Sequence, residues 1–246
     1  MSKEKVVVTD LTKSFGDLLV LDSISFTVKD GEFLCLVGPT GCGKTTFLNS
    51  LAKILDIDSG SITIDGEEVD PQKQNLAYIL QEYSTFPWLN VEQNIGYGLK
   101  IKGFDKATIK ERVDEAVAMV NLQKHRKYYP SELSASMLQR VVIARAFATK
   151  PDLLLMDEPY GQLDLNLKYK LEDELIKLWE QTKTTIIFIT HNIEEAVYLS
   201  DRVLVMTNKP TQIKTELKNE LARPRKVSSQ EFVDLRNKVT DLIKWW

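Results

Sequence analysis

The chain has 246 residues, of which 43% are hydrophobic and 27% charged, with a formal net charge of −3. Those values fit one large domain, or a domain with a substantial insertion, long enough to bury a core. They exclude a bulk electrostatic attraction to nucleic acid or anionic lipid. Cys35 and Cys42 are too few for a disulfide framework or a four-cysteine zinc site, and point to a reducing cytosol.

The opening MSKEKVVVTD has charges but no apolar secretory core. The longest apolar runs, FLCLV and IIFI, fall far short of the ~20 residues a membrane helix needs, so any membrane association is expected to be peripheral and through a partner. In chain order, KVVVTD, SISFTVKDG, EFLCLVG and SITIDG predict strands separated by Gly and Asp turns. Within this region EFLCLVGPTGCGKTTFLNSLAKIL reads as strand, glycine loop and helix. It matches G-x-x-x-x-G-K-[ST] from Gly38 to Thr45, with Gly41 and Gly43 between. Glycines let backbone N–H groups converge on phosphate oxygens, Lys44 neutralises the outer phosphates, and the Thr45 hydroxyl reaches Mg²⁺. The loop therefore implies a nucleoside triphosphate.

From Val91 to Lys150 the character turns helical. ATIKERVDEAVAMVNL sets Ile109, Val113, Ala116, Val117 and Val120 on one face, and His125 in QKHRKYY reads as surface. SELSASMLQR opens a helix that continues as VVIARAFATK. Its small residues suit either an anion at the unpaired N–H groups or a cap by Ser131, Ser134 or Ser136 with help from Glu132.

From Pro151 the order is strand, helix, strand: DLLLMDEP, LKYKLEDELIKLWEQTK and TTIIFIT. Such wholly apolar strands belong to a parallel sheet covered on both faces. Asp157 and Glu158 end one strand and His191 follows another, at the carboxyl edge where open α/β sheets present side chains to ligand. Asp157 suits Mg²⁺ through water, and Glu158 suits orienting an attacking water. The last segment, SSQEFVDLRNKVTDLIKWW, spaces Phe232, Leu235, Val239 and Leu242 as a helix docking on the core, and Trp245 and Trp246 close the chain.

Taken together, these motifs resemble those of the ATP-binding-cassette (ABC) ATPases, the nucleotide-binding subunits of membrane transporters. The match runs from about Val6 to Met206, with the motifs in the family's order. The resemblance implies an α/β fold: a P-loop NTPase core with a β-rich N-terminal subdomain and a helical insertion subdomain. The expected core is 1–86 and 151–220, the helical subdomain 87–150, and the tail 221–246, all in a single ABC ATPase domain. It places Phe15 against the adenine ring and makes Gly38, Pro39, Thr40, Gly41, Cys42, Gly43, Lys44, Thr45 and Thr46 the phosphate loop. Gln81 becomes the glutamine that senses Mg²⁺ and the transmembrane partner, Asp164 ends the loop that crosses to a partner subunit, and His191 is the switch histidine on the γ-phosphate. ATP and Mg²⁺ are the implied ligands, the metal at Thr45, Gln81 and Asp157. Lys44, Glu158 and His191 carry the catalysis.

LSASMLQR stands where the family's signature usually reads LSGGMQQR, a segment that meets the γ-phosphate of ATP held by the other subunit of a dimer. Ser134, Gln139 and Arg140 remain, but Ala135 and Ser136 replace the glycines and Leu138 a common glutamine. A Cβ at 135 and 136 penalises both close approach and positive φ. Asn192 also follows His191 where Asp is usual. FPWLNVEQNI and LARPRKVSS are similar to importer ATPases of the nitrate, sulfonate and taurine group, which work with a permease and a substrate-binding protein. The resemblance thus implies an ATPase powering import of a small, anionic or related solute from the cytoplasmic membrane face. Its second cassette subunit is either identical or, preferred, a different one with an intact signature. The alternative is a regulatory subunit that hydrolyses poorly. Acidic balance and a single cassette give no support to a nucleic-acid role.

Overall fold

The computed structural model describes residues 3–71, 73–161 and 163–243, and the chain divides into two compact units, one up to Gln74 and from Thr184 onward, the other Asn75–Lys183. Trp245 and Trp246 lie outside the described residues.

The first unit opens with two long strands, β1 (Glu4–Phe15) and β2 (Leu18–Lys29), antiparallel with Val8 opposite Phe26. On its other side β1 pairs with β4 (Ser59–Ile64), which in turn pairs with the two-residue β5 (Glu67–Glu68). Their mixed burial is that of a sheet with one wetted face. A second, parallel layer holds β3 (Phe33–Val37), β8 (Thr185–Thr190) and β9 (Arg202–Met206), with β3 in the middle and β10 (Ile213–Lys218) antiparallel on β9. Every residue of β3, β8 and β9 is buried, as the continuous apolar runs predict for β3 and β8. Three helices belong to this unit: α1 (Lys44–Leu51), α6 (Ile193–Leu199) and α7 (Gln230–Ile243). The α7 helix buries Phe232 and Val239 and packs on α6 and β9, so the terminal helix docks as expected.

In the second unit β6 (Leu76–Ile79) runs parallel to β7 (Leu153–Asp157), with Tyr78 opposite Leu155. Helices α2 (Val91–Ile101), α3 (Lys106–Met119) and α4 (Ala135–Ala148) pack on one another, and α5 (Leu165–Thr182) completes the unit. Side chains at the starts of α2 and α3 satisfy their leading N–H groups. Asn90 and Gln93 form a reciprocal capping box on α2, and Asp105 accepts from the Ala107 and Thr108 N–H groups at α3.

Two local expectations are corrected. Glu132 does not help cap α4: its carboxylate accepts from the Tyr129 N–H and closes the short 3-10 turn Pro130–Glu132. His125 is not a surface side chain but half-buried, its ring edge-on to Tyr128 at 5.1 Å. The strands β5, β6, β9 and β10 have no counterpart in the sequence expectations, because β5 and LAYI are short, RVLVM opens on a charge, and the alternation in IKTELK is mostly polar.

Candidate functional site

The loop Gly38–Thr46 joins the buried end of β3 to α1, and two of its glycines are closely enclosed by their surroundings. A Cβ on Gly38 would lie 3.0 Å from Met206 Cβ and 3.2 Å from Cys42 Sγ. Gly43 has φ +120°, and a Cβ there would sit 2.9 Å from Val20 Cγ1. The contact at Gly43 is closer than packed atoms tolerate and its φ belongs to glycine, while at Gly38 the neighbours would have to give by a few tenths of an ångström. Gly43 precedes α1 without a side-chain cap, and no acidic residue occupies the helix's first turn. The leading N–H groups of α1 therefore have no intrahelical acceptor and face no competing carboxylate of their own turn, the condition for binding an anion.

Lys44 is only 5% exposed, and its Nζ donates to the carbonyls of Gly38 and Pro39, both at 3.0 Å. The ammonium is thus folded into the loop and held there by backbone oxygens. Thr45 is exposed and Thr46 half-buried. Burial pushes the Cys42 thiol up, which keeps it protonated and inert in the loop wall. The Cys42 carbonyl accepts from the Thr211 hydroxyl, 169 residues away in sequence. Thr211 also exchanges backbone hydrogen bonds with Val20 and Asp22, so it ties the loop to β2. No local pattern marks Thr211, Met206 or Val20 as loop supports; their role exists only in three dimensions.

Two further predicted residues share this unit. Val37 and Thr190 are register partners in parallel strands, so Gly38 and His191 leave adjacent strands at the same edge. His191 is exposed there. Phe15, at the end of β1, is 49% exposed, with Lys13 Nζ 5.6 Å from its ring centroid. An exposed aromatic face is what stacking on a base requires.

The second unit presents its acidic pair in a similar way. Asp157 ends β7 and is 3% exposed. Tyr78 is held well above the usual phenol range by burial, with the Asp157 charge adding to it. Glu158, half-buried, takes φ +44°, an uncommon conformation for a side-chain-bearing residue, and its carbonyl accepts from the Gly161 N–H at 3.1 Å. Ile79 and Met156 are register partners, so Gln81 and Glu158 each leave a neighbouring strand end two residues later. Gln81 is exposed.

The loop after Gln81 is anchored. Arg145 donates to the Ser84 carbonyl and hydroxyl, each at 2.7 Å, and Asn94 exchanges hydrogen bonds with both backbone groups of Phe86. Phe86 stacks 4.4 Å from Tyr97, whereas Trp88 is 70% exposed. These two aromatics differ: Phe86 is structural, Trp88 faces outward.

Ser134 is the N-cap of α4, accepting from the Met137 N–H at 3.4 Å and lying 3.1 Å from the Ser136 hydroxyl. Ala135 and Ser136 are within the helix, so neither takes positive φ. That half of the case for glycine at these positions does not apply; the bulk of a Cβ at an approaching ligand still does. Asp164 caps α5, accepting from the Leu167 N–H at 3.1 Å. Arg140 forms a forked pair with Glu174 at 2.7 and 3.1 Å.

Taken one by one, Thr45, Gln81 and Asp157 each carry an oxygen donor of the hard kind that Mg²⁺ prefers. Among the described residues no group of three or more His, Cys, Asp or Glu is placed to hold a metal alone, and no helix is long and apolar enough to cross a membrane.

Comparison with known proteins agrees with this geometry. The family model described as ABC transporter matches residues 21–161. An aliphatic sulfonates import ATP-binding protein of Bacillus thuringiensis is 44% identical over 228 residues, covering 93% of this chain and 90% of the relative. An uncharacterized ABC transporter ATP-binding protein of Methanocaldococcus jannaschii is 40% identical over 98% of this chain and 92% of its own length. Among solved structures, a dimeric bacterial ABC transporter cassette superposes with a TM-score of 0.77 at 26% identity, covering 88% of this chain and all of that one. With the motifs, the fold and these relatives in agreement, the chain belongs to the ABC transporter family.

Proposed function

We propose that the chain is the ATP-binding and ATP-hydrolysing subunit that drives a membrane importer for a small anionic solute of the sulfonate type. The observation that carries this reading is the 44% identity, across nearly the whole chain, to proteins named as aliphatic sulfonate import ATP-binding proteins. Those names favour a driving subunit over a purely regulatory one. The chain sits peripherally on the cytoplasmic membrane face, pairs with a second cassette subunit, and engages a permease that receives solute from a substrate-binding protein.

Each predicted residue has a role in that reading. The N–H groups of Gly38–Thr46 and the Lys44 ammonium bind the β- and γ-phosphates, and Phe15 stacks on adenine. Thr45 and Gln81 hold Mg²⁺, with Asp157 acting through water; the ion neutralises phosphate charge as it develops. Glu158 orients the attacking water and accepts its proton, and His191 hydrogen-bonds the γ-phosphate. Ser134 and Ser136 approach the γ-phosphate held by the partner subunit, and Asp164 belongs to the crossing loop. Pairing with a different subunit that carries intact glycines is the favoured arrangement. A complete set at Lys44, Asp157, Glu158 and His191 beside an altered signature makes sense when each half serves a different site.

The exposed Trp88, on an anchored loop that begins at Gln81, supports Gln81–Asn94 as the permease-facing segment. The test is to purify the chain from membranes with whatever it binds, identify the attached subunits, and reconstitute them in vesicles. ATP-dependent uptake of an alkyl sulfonate and crosslinks from position 88 to a permease are expected. Purification without a membrane subunit would overturn the proposal, and crosslinks confined to other faces would remove the coupling assignment.

A further inference from the structure

The LARPRK segment helped to place this chain in a group, but no step above uses it. The structure assigns it a task at the C-terminal end of α6, the seven-residue helix that follows His191. A helix ends with four carbonyls lacking intrahelical donors, and when they are buried each must find one. In α6 all four do. Ser200 donates its N–H and its hydroxyl to the Ala196 carbonyl, at 3.1 and 2.7 Å. Val197 receives Asn219 Nδ2 at 2.7 Å and Arg225 at 2.9 Å. Arg225 donates also to Tyr198 at 2.8 Å, and Arg223 to Leu199 at 2.5 Å. Arg223 is held in turn by Asp201 at 2.6 Å, and Asp201 accepts from the Phe33 N–H at the start of β3. Two cations thus meet the negative end of a helix dipole, one of them only 6% exposed. Burial, with Arg223 beside it, pushes the Arg225 guanidinium down to about 10, which leaves it charged at neutral pH.

The other end of α6 is joined to His191 from both sides. The Thr190 hydroxyl donates to the Glu195 carboxylate and accepts from the Asn192 N–H at 2.9 Å. The Asn192 side chain accepts from the Glu195 N–H at 3.1 Å, and its carbonyl from the Ala196 N–H at 3.1 Å. His191 therefore lies between two residues that are both bound to the first turn of α6, and α7 adds Arg236 at 3.5 Å from Glu194. At ~1.5 Å per residue the helix is about 10 Å long, so a shift at its clamped end reaches His191 nearly undiminished.

We infer that Asn219, Arg223 and Arg225 are positioning residues for His191, acting by clamping the C-terminal carbonyls of α6; this rests on His191 being the γ-phosphate contact proposed above. The chain's tail is then part of the catalytic apparatus without touching nucleotide.

The test is a double-mutant cycle on the full chain in its permease complex: Arg225→Gln and, as a milder variant of a less buried residue, Arg223→Gln, each with and without His191→Ala. ATP turnover and ADP affinity are measured for every variant, because ADP has no γ-phosphate for His191 to touch. In the His191 background either substitution is expected to lower kcat about tenfold, with ADP affinity unchanged within about twofold. In the His191→Ala background the same substitution is expected to cost less than about twofold, the non-additivity of residues acting through one another. Arg225→Lys, which keeps the charge and fewer donors, should recover part of the loss. Equal factors in both backgrounds, or a parallel fall in ADP affinity, would overturn the clamp. Wild-type turnover in His191→Ala alone would instead overturn the role given to His191, and the clamp's purpose with it. If Arg225→Gln fails to fold, the Arg223 cycle decides by the same criteria.

Discussion

The phosphate loop and the segment at Ser134 are both places where a chain enters a helix beside small residues, and they are built in opposite ways. At Gly43 the helix start has no side-chain cap, and the glycines are enforced from outside by Met206 and Val20. At Ser134 the helix supplies its own cap, and Ala135 and Ser136 lie in ordinary helical backbone. The first takes no side-chain cap from the chain, whereas at the second the Ser134 hydroxyl already accepts from the Met137 N–H. The first start therefore offers an anion its backbone N–H groups, and the second the hydroxyls of Ser134 and Ser136.

The largest effects should fall on the first region and its acidic counterpart. Glu158→Gln is expected to retain ATP binding and to lower turnover by about 10²–10⁴, since an amide accepts a proton poorly. Lys44→Ala should instead weaken ATP binding itself, by at least the ~1.5–3 kcal/mol of a hydrogen bond to a charged group. Equilibrium nucleotide binding beside single-turnover hydrolysis separates the two. Equal binding loss in both variants would count against the role given to Glu158.

Gly43→Ala comes next. Its Cβ would press on Val20 in a backbone conformation with φ +120°, a strain on the order of 1–3 kcal/mol. The loop is expected to relieve it by opening, so ATP affinity should drop about ten- to a hundredfold while urea unfolding shows a smaller loss. Unchanged affinity would mean that the enclosure by Val20 and Met206 does not set the loop's shape.

Substituting Ala135→Gly and Ser136→Gly together sharpens the comparison from the other side. Removing both Cβ atoms should raise ATPase activity of the assembled complex up to about tenfold, a gain of ~1.4 kcal/mol in the barrier. The same change should lower stability, because glycine inside a helix costs about 1 kcal/mol per residue relative to alanine. A faster but less stable subunit is the expected outcome; a rate that ignores the glycines would show that ligand approach at α4 is not limited by side-chain bulk. Smallest is Ser134→Ala, which removes the cap of α4. At 3.4 Å that bond is long, so the loss should be at or below ~1 kcal/mol by urea denaturation, with ADP affinity untouched.

Much of this could be read along the chain. Continuous apolar runs announced β3, β7 and β8 because strands covered on both faces have no polar side to show. Ser134, one of three candidate caps in SELSASMLQR, announced the start of α4 because capping is settled within three residues. His125 was misplaced because the ring of Tyr128, three residues on, covers it only once the intervening turn has formed. Glu132 misleads in the sequence because a carboxylate near two turns can close either, and here it closes the 3-10 turn at Pro130.

The sequence by itself determined the chemistry on offer: a glycine loop with Lys44 and Thr45, a strand ending in Asp157 and Glu158, a histidine at a strand end, and an altered segment at 135 and 136. Those depend on residue type and short spacing, which strand and helix periods convert directly into position. Tertiary structure alone decided what holds them. Thr211 on the Cys42 carbonyl, Met206 against Gly38, and Arg223 and Arg225 on the end of α6 join residues far apart in the chain. No local pattern encodes such pairs, because a buried carbonyl accepts whichever donor the completed fold brings to it.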